Sequence, residues 1–74
     1  MKIDIVVYDS VEDDRVEAYI KKYNLTYEST HNRDEEYYDW LGVEIPDKLY
    51  TILLLSAGNW HIEKSKGAVG EALD

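Results

Sequence analysis

The chain has 74 residues, with 16 acidic against 8 basic side chains, a formal charge of −8 and a pI near 4.5. It contains no Cys, which excludes disulfide staples, thiol nucleophiles, CxxC redox couples and Cys-ligated zinc, and fits a reducing compartment. The length allows one domain, residues 1–74, with a thin core.

Ile3, Ile5 and Val7 alternate with Asp4, Val6 and Tyr8. These are strand formers with apolar residues on both faces, so the pattern predicts a central strand covered on both sides. Asp9-Ser10 ends it, and Ser10 with Asp13 has capping-box spacing. Val16, Tyr19, Ile20 and Tyr23 then form one face of a helix, with Glu17 and Lys21 paired on the wet side. Asn24 closes that helix in the left-handed conformation.

Leu25 to Thr30 alternates as a second, half-exposed strand. A strand–helix–strand unit predicts that the first two strands run parallel. Asn32 and Glu35 repeat the capping spacing, and Tyr37, Trp40 and Leu41 give a short helix that Gly42 stops. Val43 to Lys48, with Pro46, is a connector. Tyr50 to Leu55 is the most apolar run and is expected to be a buried strand. Ala57-Gly58-Asn59 is turn chemistry, Trp60 to Lys64 alternates as a fourth strand in hairpin with the third, and Ala68 to Leu73 is a short last helix.

The resulting order, β-α-β-α-β-β-α, defines an α/β (α+β) fold with a four-stranded mixed sheet. At this length it resembles the thioredoxin and glutaredoxin family, above all the small glutaredoxin-like hydrogen donors. The anchors are Ile5-Val6-Val7-Tyr8, Leu25-Thr26-Tyr27-Glu28, Tyr50 to Leu55, Trp60 to Lys64 and Gly67. The family's chemistry does not carry over. Where it has its redox CxxC, this chain has Asp9-Ser10-Val11-Glu12-Asp13-Asp14. The family's cis-proline position falls on Thr51, with Pro46 five residues too early, and the glutathione-contacting Gly pair is reduced to Gly67. The resemblance implies a cysteine-less, degenerate member in which carboxylates stand where a thiolate would sit.

Residues 1–47 hold 13 acids and 5 bases, so they carry the whole net charge. Direct nucleic-acid binding is disfavoured, because phosphates need clustered Lys and Arg. A basic protein surface is the natural partner. The candidate partner-binding residues are Asp13, Asp14, Glu17, Glu35, Glu36, Tyr38, Asp39 and Trp60. Capping and dipole matching explain most of the first acidic cluster, and solubility alone is the competing account of the whole charge. The Tyr-rich composition, 7 Tyr and no Phe, fits either an interaction surface or a small core of amphipathic rings, with Tyr8, Tyr19 and Tyr23 assigned to the core.

No catalytic residue, cofactor or metal site is assigned. The acidic stretches lack calcium-loop spacing, no Ser sits in a nucleophile elbow near His31 or His61, and none of the 4 Gly forms a phosphate loop. No apolar run reaches the roughly 18 residues of a membrane span, and Met1-Lys2-Ile3-Asp4 turns acidic without a signal-peptide core. The expectation is a soluble, cytoplasmic, non-enzymatic protein-binding domain, of the kind that serves as a viral or accessory regulator by occupying a basic, nucleic-acid-binding host protein. The alternative is a redoxin-related subunit that keeps glutathione or peptide binding without turnover.

Overall fold

The computed structural model describes residues 1–34 and 36–65. Six elements follow in order: β1 (Lys2–Val7), α1 (Ser10–Lys22), β2 (Ser29–Arg33), β3 (Tyr37–Glu44), α2 (Asp47–Ser56) and β4 (His61–Lys64). The strands form one sheet in the order β2-β3-β1-β4, antiparallel at every pair. The class is α+β with a four-stranded sheet. The expected parallel pair is not formed, so the sheet is antiparallel rather than mixed.

β1 is central, as its alternation predicts. Ile3, Ile5 and Val7 are buried, and they meet Val16 and Ile20 of α1, Trp40 and Val43 of β3, Ile45 just after β3 and Leu53 of α2 in one core. The other face of β1 is less covered than expected: Asp4 and Val6 are only half-buried. α1 is capped by Asp9, whose side chain accepts from the Glu12 N–H at 2.7 Å, in place of the Ser10–Asp13 box. Asn24 takes φ 56°, as predicted after the helix.

The second strand is displaced. Residues 25–28 run as an irregular flank to β3, touching it through the Thr26–Glu44 bridge and the Glu28 N–H to Leu41 carbonyl bond at 2.9 Å. The strand proper starts at Ser29. Asp34, at φ 56°, turns the chain directly into β3. The helix expected over residues 37–41 is therefore a strand: Tyr37, Tyr38 and Trp40 pack better on a pleat beside β1 than on a short helix. Gly42 does not stop a helix. It forms a bulge, since Asp4 faces both Leu41 and Gly42 between the Ile3–Val43 and Ile5–Trp40 pairs. Gly42 has φ 66°, and its N–H donates to Asp4 Oδ1 at 2.9 Å.

Tyr50 to Leu55 is helical, not a buried strand, and lies inside α2. Pro46 precedes the helix and Asp47 stands in its first turn, the start signals of a helix. The hairpin expected between residues 50–55 and 60–64 is absent; β4 pairs with β1 instead. Gly67 and the last helix expected at residues 68–73 lie outside the described residues.

Candidate protein-binding surface

Val7 pairs with Tyr38, so the β1–α1 junction and the turn before β3 lie at the same end of the sheet. The aromatic rings of Tyr8 and Tyr37 meet there, with centroids 6.3 Å apart. Tyr8 is 62 % exposed, contrary to its expected place in the core, because the chain leaves the sheet at that residue. Asp9, Asp34 and Glu36 at this end are exposed, as is Asp14 in the second turn of α1. The structure thus gathers carboxylates from the start of α1 and from the β2–β3 turn beside a half-free tyrosine.

The eight residues singled out from sequence separate into three groups. Asp14, Glu17 and Glu36 are exposed, and Glu17 pairs with Lys21 at 3.2 Å. Glu35 lies outside the described residues. The remaining four are structural rather than solvent-facing. Asp13 accepts from the Trp40 indole N–H at 2.8 Å. Tyr38 packs against the core. Trp60 is half-buried and donates to Glu12 at 2.7 Å.

Asp39 is 5 % exposed. Its register places it beside His31 on β2 and Val6 on β1. His31 Nδ1 donates to its Oδ1 at 2.7 Å, and Arg33 Nε donates to Oδ2 at 2.9 Å. Burial pushes the carboxyl pKa up, but the hydrogen bonds from His31 and Arg33 outweigh it and hold the value below the ordinary carboxylate range. The charge of Asp39 is therefore neutralised inside the protein and is not offered to a partner.

Sequence reasoning missed the outer face of α2. Ile52, Leu54 and Leu55 are exposed, Leu55 to 84 %, while Leu53 alone in the helix is buried. The signal was present in the apolar run itself: a helix on one side of a sheet cannot turn the four consecutive residues Ile52, Leu53, Leu54 and Leu55 all inward. Tyr23, expected in the core, caps the end of α1 and is 38 % exposed.

Among the described residues no helix is long and apolar enough to cross a membrane. No group of three His, Asp or Glu side chains is arranged to hold a metal ion among them. No family model, curated protein or solved structure matches the chain.

Proposed function

We propose that this chain is a non-catalytic, acidic protein-binding domain whose partner offers a basic surface, such as the nucleic-acid-binding face of another protein. The observation that supports it is the end of the sheet where exposed Tyr8 meets Tyr37 near Asp9, Asp34 and Glu36, with Asp14 also exposed in the second turn of α1. An aromatic anchor in a rim of like charge suits docking: the charges speed encounter with a positive surface, and the ring supplies desolvated contact area. The reading rests on that surface and on the net charge of −8, and a chain without Cys offers no thiol chemistry.

The test is kinetic. A partner captured from lysate at low salt is purified and its binding measured as salt rises. Association slows steeply, because exposed charges are screened over about 8 Å at physiological ionic strength. Asp14→Lys with Glu36→Lys lowers the association rate, and Tyr8→Ala raises the dissociation rate. Binding that ignores both salt and the charge reversals overturns the proposal.

A further inference from the structure

Between α1 and α2 lies an open cleft of about 350 Å³, at the lower end of the range for small-molecule sites. Its walls are aromatic and apolar: Trp60, Tyr19, Leu53 and Ala57. Trp60 is fixed in place, because its indole N–H is already engaged with Glu12, and Tyr19 meets it edge-on at 86°.

Two cations line the same cleft, Arg15 and Lys22. They stand seven residues apart on α1, two turns or about 10 Å along one side of the helix. In a chain of charge −8 a pair of cations facing one hollow is out of keeping with the rest of the surface. Among the described residues Arg15 makes one long ion pair, with Glu12 at 3.6 Å, and Glu12 gives its other oxygen to Trp60. Lys22 lies over the Tyr23 ring at 5.4 Å.

We propose that this cleft binds a small aromatic monocarboxylate, with its ring against Trp60 and Ala57 and its carboxylate held by Arg15. The guanidinium fork matches a carboxylate, the walls match a ring, and the acidic surface as a whole repels more highly charged anions.

The experiment is an NMR titration of ¹⁵N-labelled full chain with phenylacetate and with indole-3-acetate, against phenylacetamide and inorganic phosphate at equal ionic strength. Saturable shifts are expected at the Trp60 indole N–H and the Ala57 amide, with the amide probe and phosphate much weaker. Arg15→Gln, at an exposed position that leaves the fold intact, weakens phenylacetate about tenfold, as loss of one charge-assisted contact does. Lack of saturation, equal binding of phenylacetamide or phosphate, or an Arg15→Gln variant that binds unchanged each overturns the proposal.

Discussion

The indole N–H of Trp60 donates to Glu12 Oε1 at 2.7 Å, joining residues 48 positions apart in sequence. The bond fastens the segment leading into β4 to the first turn of α1. Hydrogen bonds to a charged acceptor contribute about 1.5–3 kcal/mol when sheltered, and Glu12 is 19 % exposed. Glu12→Gln and Trp60→Phe should each lower stability by about 1–2 kcal/mol. The double variant should lose less than the sum, which a double-mutant cycle in urea measures. Full additivity would show that the bond contributes nothing.

The second prediction is a pH dependence. The carboxyl of Asp39 titrates lower when folded than when unfolded, so the folded state favours the ionised form. Its contribution is fully present above the unfolded value of about 3.9 and is lost as pH falls through the lower folded value. Urea midpoints should therefore decline on acidification below about pH 4. Asp39→Asn should destabilise by about 1–3 kcal/mol at neutral pH and flatten that acid limb. An unchanged acid limb in the variant would assign it to other carboxylates.

The two faces of β1 should respond differently to a buried charge. Ile5→Asp places an unpaired carboxylate in the core, where Ile5 is 1 % exposed, and should abolish folding. Val6→Asp puts it on the half-buried opposite face and, lying against Asp39 on β3 and His61 on β4, should weaken the domain without unfolding it. Circular dichroism separates the outcomes. Equal collapse of both would mean that the second face is as dry as the first.

Neighbouring leucines in α2 should behave as opposites. Leu53→Ala opens a cavity in the core and should cost about 2–5 kcal/mol. Leu55→Lys should change stability by less than about 0.5 kcal/mol and improve solubility, because it removes the most exposed part of an apolar surface. Thermal melts and light scattering on the two variants check both statements.

Local periodicity made β1, α1 and the left-handed Asn24 legible in the sequence, because each is decided by residues within a few positions of one another. β3 was not. Tyr37, Trp40 and Leu41 fit a helical face by spacing, and only the partners supplied by β1 and β2 decide for a strand. Residues 50–55 failed for a different reason. A short apolar run has no period that separates a buried strand from a helix, although Pro46 and Asp47 ahead of it were helix-start signals. Of the surface residues, acid content alone could not distinguish Asp14, which faces water, from Asp39, which His31 and Arg33 pair internally. The latter depends on a register that brings β2 to β3.

The order β2-β3-β1-β4 also has a consequence during synthesis. β1 leaves the ribosome before the other described strands, yet its neighbours are β3, which ends at Glu44, and β4, which ends at Lys64. At about 5–20 residues per second, its backbone groups wait some seconds for the first partner and longer for the second. During that interval the nascent chain carries Ile3, Ile5 and Val7 on an unpaired strand, sheltered only by what α1 can cover. Among the described strands β4 is made last and completes the sheet beside β1, so the sheet is whole only after Lys64 has cleared the exit tunnel.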